Sequence, residues 1–214
     1  MPREPILSPV ERVSEMLFGL YMALTFVGAV SVVEPEADQV RTMFVGAVGC
    51  NLAWGLVDAV MFLVRTLADR GRTLSLALAV RGAANAEEGR DHVARALSKV
   101  AAQFVSPVEM EAVRARIVAL PAVPDKPVLH REDALAGIGI FLIVVGSTFP
   151  VVLPFLLIAD VGTAKLVSRV IALAMLFAGG LALGRYAGAG GYRTGFMMVG
   201  LGAALVAAIM ALGG

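Results

Sequence analysis

The chain reads as an all-α integral membrane protein, a five-helix bundle with a small helical cytoplasmic insertion between the second and third spans. Three observations predict it. Of 214 residues, 58% are hydrophobic and 16% charged, and mean hydropathy is +0.83, too apolar for a soluble domain of this size. Five apolar runs each reach the roughly 20 residues that a helix needs to cross a bilayer. The charges gather near the ends of those runs, where they carry orientation information. Residues 1–64 then hold the first two spans, 65–133 the helical cap, and 134–214 the last three spans.

The first run, Ser14 to Val33, is long for a signal-peptide core, and Glu11 and Glu15 stand beside Arg12 in its flank. It is read as a retained helix. The second runs from Thr42 to Val64 and the third from Ala134 to Ile158. Pro150 and Pro154 lie inside the third, and each frees a carbonyl one turn earlier, at Gly146 and Pro150. That helix is expected to kink or unwind in its second half, with the freed groups finding partners in the bundle. Thr163 to Leu183 and Thr194 to Leu212 complete the set, joined through a short flexible turn at Gly188 to Gly191. Glycines at 179, 180, 184, 195, 200 and 202 permit close helix approach.

The one sizeable piece outside the spans runs from Arg65 to Asp133. The second helix is expected to continue through Leu76 to Val80. Asn85 then caps a helix from Ala86 to about Phe104, with Val93, Leu97 and Val100 at helical spacing. Ser106, Pro107 and Glu109 form the next start signal: a cap, a first-turn proline and the glutamate of a capping box. The helix they open ends near Leu120. Pro121, Pro124 and Pro127 make a stiff connector back to the membrane.

Orientation follows from basic residues near the spans. Arg3, Arg12, Arg65, Arg70, Arg72, Lys126, Arg131, Arg185 and Arg193 fall on one side. The other side has Arg41, Lys165 and Arg169, with Glu34, Glu36 and Asp38 in the first loop. The amino terminus is therefore placed in the cytoplasm and the carboxyl terminus outside. The Ala, Gly, Arg and Val bias points to a bacterial plasma (inner) membrane. A net charge of +1 gives no field for nucleic acid, and the single cysteine, Cys50, excludes an intrachain disulfide and a cysteine-cluster metal site.

The most informative residue is Asp58. A carboxylate within a span costs on the order of 2.5 to 3.5 kcal/mol, which makes it a functional-site candidate. Asn51, Trp54, Asp58 and Met61 follow at spacings of three, four and three, so one helix face carries an amide, an indole, a carboxylate and a thioether. That face is expected to point into protein. Met22 in the first span adds a thioether, with Glu15 two turns below it. Two accounts stand for Asp58: a transport-path group for a divalent metal or proton, or a polar lock on helix packing against Asn51 or Ser147. Methionines in spans are usually packing. Glu88 and His92, four apart with Asp91 beside them, offer a metal-binding pair or a solvated helix face. His130 is read as an interfacial group, and Lys165 and Arg169 as cations reaching for headgroups. No nucleophile–base–acid grouping or phosphate loop is visible, so an enzyme is not expected.

Several stretches carry a resemblance. Gly146-Ser-Thr-Phe-Pro150-Val-Val-Leu-Pro154-Phe-Leu-Leu157, Ala164-Lys-Leu-Val-Ser-Arg-Val170, Tyr192-Arg-Thr-Gly-Phe196 and Gly200-Leu-Gly202 lie in the carboxyl-terminal half. Phe18-Gly-Leu-Tyr-Met22-Ala-Leu-Thr25 lies in the first span. Together with the order of spans and insertion, they resemble the vacuolar iron transporter family, in a divergent bacterial form. In that family's first-span pattern, Phe-Gly-Leu-Asn-Asp-Gly-Leu-Thr, an aspartate and a glycine stand where this chain has Met22 and Ala23.

The resemblance implies a homodimer in membrane lipid that exports divalent iron or manganese from the cytoplasm in exchange for protons, along a path between subunits. The metal is substrate, and no tightly bound cofactor is expected. The transport-path candidates are Asp58, Met61, Met22, Asn51 and Glu15, and the metal-ligand candidates are Asp58, Met61, Glu88 and His92. The other reading is a transport-incompetent relative that serves as a membrane scaffold or partner-binding protein. It draws on Met22 and on a cap whose acids, Glu87, Glu88, Asp91, Glu109 and Glu111, lack the family's repeated glutamate pairs.

Overall fold

The computed structural model describes residues 8–33, 36–97 and 100–213. Among them there is no strand. The orientation argument from Arg3 and Glu34, and from the side chains of Glu36 and Asp38, lies outside what is described.

Among the described residues eight α-helices follow in order: α1 Pro9–Val33, α2 Glu36–Gly82, α3 Ala86–Ala96, α4 Pro107–Val118, α5 Arg131–Val152, α6 Pro154–Leu157, α7 Val161–Tyr186 and α8 Gly191–Gly213, with a 3₁₀ turn at Ala101–Gln103 before α4. Five of these, α1, α2, α5, α7 and α8, are long and apolar enough to cross a membrane. This is the make-up of an integral membrane protein. Helix α2, at 47 residues, is more than twice the length one crossing requires.

The chain divides into two compact units, Met1–Met61 with Glu132–Gly214, and Phe62–Arg131. In the first, α1 is the central element. Leu17, Leu20 and Leu24 of α1 pack with Val151 of α5 and with Ala172 and Leu176 of α7. One to two turns on, Val27 and Val30 join Met43 and Ala47 of α2, Val152, Phe155 of α6 and Ala164 of α7 in a second cluster. Helices α7 and α8 form a tight hairpin. The turn between them uses Gly188 and Gly190 at φ of 70° and 86°, a region that favours glycine. At Gly180 the backbones touch: a Cβ there would lie 2.8 Å from Gly195 Cα and 2.9 Å from Thr194 O.

The third apolar run breaks in its second half, as its two prolines led one to expect. Its helix passes through Pro150 and ends at Val152, and the chain restarts at Pro154 as the short α6. Pro154 has no N–H for the Pro150 carbonyl, which sets the break. Next to it the buried Ser168 Oγ of α7 donates to Val151 O at 2.6 Å, a bundle partner of the kind that broken spans require.

In the second unit α3 stops at Ala96, with Leu97 extended at ψ 145°, so the expected helix to Phe104 is too long. The apolar repeat misled there because Val93 is buried while Val100 is exposed; the two do not share a packed face. Both start signals operate as expected. Asn85 Oδ1 accepts from Glu88 N at 2.9 Å, and Ser106 and Glu109 form a reciprocal capping box ahead of Pro107. Arg90 of α3 joins Glu111 of α4 at 3.2 Å. Arg70 on the late turns of α2 donates to Val128 O at 2.7 Å, holding the proline connector beside a cleft of about 310 Å³ lined by Leu74, Ala77, Pro124, Pro127 and His130 among others.

Candidate functional site

Two helix stripes meet in the first unit. On α1, Glu15, Phe18 and Met22 follow at spacings of three and four, and on α2, Asn51, Trp54, Asp58 and Met61 do the same. The rings of Phe18 and Trp54 stack at 5.5 Å between centroids and 26° between planes, which brings the two stripes together. A second contact fixes the register: Gly46 leaves room for the Phe26 ring, which a Cβ at that position would strike. From Phe18 to Phe26 is eight residues forward on α1, and from Trp54 to Gly46 eight residues back on α2. The helices are therefore antiparallel in one register, and Glu15 comes level with Val57 and Asp58. Met22 comes level with Cys50 and Asn51.

The expected inward-facing stripe is only partly enclosed within one chain. Asn51 is 0% exposed, whereas Trp54 is 38% and Met61 46% exposed. Asp58, Glu15 and Met22 are half-buried, and the Oδ2 atom of Asp58 is shielded from solvent. Asn51 Nδ2 donates to Ala47 O at 3.0 Å within its own helix, and its Oδ1 is enclosed without a hydrogen-bond partner among the described residues. Ser147 Oγ donates to Val144 O at 2.8 Å. One turn beyond Asn51, α2 lies close to α5: a Cβ on Gly55 would sit 3.3 Å from Phe141 O.

Two further polar residues of α1 have structural partners. Tyr21 Oη donates to Met198 O of α8 at 2.8 Å, and Thr25 Oγ1 returns to Tyr21 O and Met22 O. Phe18 was not singled out as a site residue, although its position between Glu15 and Met22 on one stripe was a usable signal.

The carboxylates of the second unit have work of their own. Glu88 Oε2 accepts from Ala84 N at 2.8 Å while its own N–H donates to Asn85, so Glu88 closes the cap of α3. His92, half-buried, follows one turn later, and Asp91 faces Arg95 at 4.0 Å. Glu109 Oε2 accepts from Ser106 N and Oγ, both at 2.7 Å, and the backbone bond leads in holding its carboxyl below the usual range. Arg114 holds Glu111 down to about 2, aided by Arg90, and Glu111 in turn raises Arg114. Among the described residues no three His, Cys, Asp or Glu side chains come together as a metal site.

Within the first unit, then, the structure brings Glu15 to the level of Asp58, with Met61 one turn further along α2, and Met22 to the level of Asn51; Glu88 and His92 belong to the second unit. Two acidic residues at one level of the α1–α2 pair, with a thioether one turn from Asp58, are oxygen and soft sulfur donors of the kinds that a first-row divalent cation takes. Comparison with family models, with curated proteins and with solved structures yields no match.

Proposed function

We propose that the chain is a membrane transporter that exports divalent iron or manganese from the cytoplasm in exchange for protons, along a path at a homodimer interface. The observation that carries this reading is the register of α1 and α2, which sets Glu15 and Asp58, two half-buried carboxylates, at one level of two apolar helices. Acidic side chains within spans commonly mark ion and proton paths. Asp58 takes up metal or proton alternately, Met61 and Met22 give soft contacts, and Asn51 offers its enclosed amide oxygen farther along α2. In a two-fold dimer each group appears twice, which raises two carboxylates to four. The exposed Leu56, Val57, Val60 and Met61 on α2 leave an apolar surface for the second copy.

In this reading the amino terminus and the α3–α4 segment are cytoplasmic, the carboxyl terminus is outside, and the membrane is a bacterial plasma membrane. The test is flux into proteoliposomes containing a metal-quenched fluorophore. Saturable Fe²⁺ or Mn²⁺ entry that also moves protons supports the proposal, and entry equal to that of protein-free vesicles refutes it.

A second reading, a scaffold without transport, is favoured by one observation: Glu88, Glu109 and Glu111 are committed to helix caps and arginines. Titration calorimetry with Mn²⁺ separates the two, because a scaffold gives no saturable heat.

A further inference from the structure

We infer that the first unit holds a seat for one anionic phospholipid, built around Arg169. A groove of about 220 Å³ is lined by Leu24 of α1, Arg169 and Leu173 of α7, and Ala203, Val206, Ala207 and Met210 of α8. Apart from the guanidinium its walls are wholly aliphatic or thioether, and all of these residues lie within candidate spans. Alanines at 203 and 207, one turn apart, make the wall low on the α8 side. A tapering apolar trough of this kind takes an acyl chain.

Arg169 supplies the polar end. Its Nε is shut off from solvent and has no hydrogen-bond partner among the described residues. Such an atom in a span is costly unless an acceptor reaches it. Arg169 stands eight residues inside α7, about 12 Å of helix rise. At that depth its stem lies among acyl chains while its guanidinium reaches phosphate level. Lys165, one turn nearer the helix start, adds a second positive charge on the same stripe. A guanidinium at the mouth and an aliphatic trough behind it match the two ends of an anionic phospholipid: phosphate oxygens for the forked donors, an acyl chain for Leu24, Leu173 and Val206. The second cation favours a lipid with net negative charge over a zwitterionic one. This seat is separate from the Glu15–Asp58 seam and does not depend on transport.

The test uses the purified full-length protein in detergent, with retained lipid counted by native mass spectrometry after adding phosphatidylglycerol or phosphatidylcholine at equal concentration. Wild type is expected to prefer phosphatidylglycerol by about fivefold, the factor that corresponds to roughly 1 kcal/mol per interfacial cation. Arg169→Gln removes the preference and Arg169→Lys keeps part of it. Ala207→Trp fills the trough without altering charge and also lowers retention, which separates a seated lipid from a cation at a bilayer edge. Unaltered helical circular dichroism and elution volume verify folding of each variant. Equal retention of the two lipids by wild type, or full phosphatidylglycerol preference in Ala207→Trp, overturns the inference.

Discussion

Ser168 Oγ of α7 donates to the carbonyl of Val151 at 2.6 Å, tying α7 to α5 beside the break that precedes Pro154. The hydroxyl is fully buried, so no water can replace it. Ser168→Ala is expected to cost about 0.6 to 1 kcal/mol and to lower the thermal unfolding midpoint in detergent. Thr148→Ala removes a longer bond, 3.3 Å to Val144 O within its own helix, and should lower the midpoint less. Equal midpoints for Ser168→Ala and wild type would remove the tether from the account.

Close approach of α7 and α8 depends on hydrogen in place of a side chain at Gly180, where the nearest atoms are backbone and cannot swing aside. Gly180→Ala should destabilise by about 1 to 3 kcal/mol through overpacking. At Gly200 nothing lies within 4 Å of an added Cβ, so Gly200→Ala should leave the unfolding midpoint unchanged. Parallel melts of the two variants check the α7–α8 packing directly.

Those two elements also mark how far the sequence could be read. Five spans were legible because length and apolar content decide them, and the Ser106 and Asn85 caps because their partners lie three residues away. The break at Leu153 was legible only as a region: two prolines stood in the run, but the choice between them is a tertiary matter. Val93, Leu97 and Val100 kept helical spacing across a helix end, since periodicity does not reveal which residues find a neighbour. The pairing of Phe18 with Trp54, which sets Glu15 level with Asp58, joins residues too distant in the chain for any local pattern to disclose.

Glu111 links α3 to α4 through Arg90 and is held at about 2 chiefly by Arg114. A carboxyl lowered from 4.5 to about 2 on folding contributes its full stability above pH 4.5 and loses it as pH falls towards 2. Amide exchange, expressed as protection over residues 86–118, should therefore drop between pH 5 and about 2.5. Glu111→Gln should show reduced protection already at pH 6, with a smaller further drop. An identical pH profile in the variant would contradict this role.

The most direct test of the account is Mn²⁺ or Fe²⁺ flux in proteoliposomes for wild type and Asp58→Asn, an isosteric change that removes the carboxyl group at the level of Glu15. Flux is predicted to fall by more than about tenfold, equivalent to about 1.4 kcal/mol, with helical content and oligomeric state retained. Asp58→Asn transport at the wild-type rate would contradict the claim that these two carboxylates carry the cation.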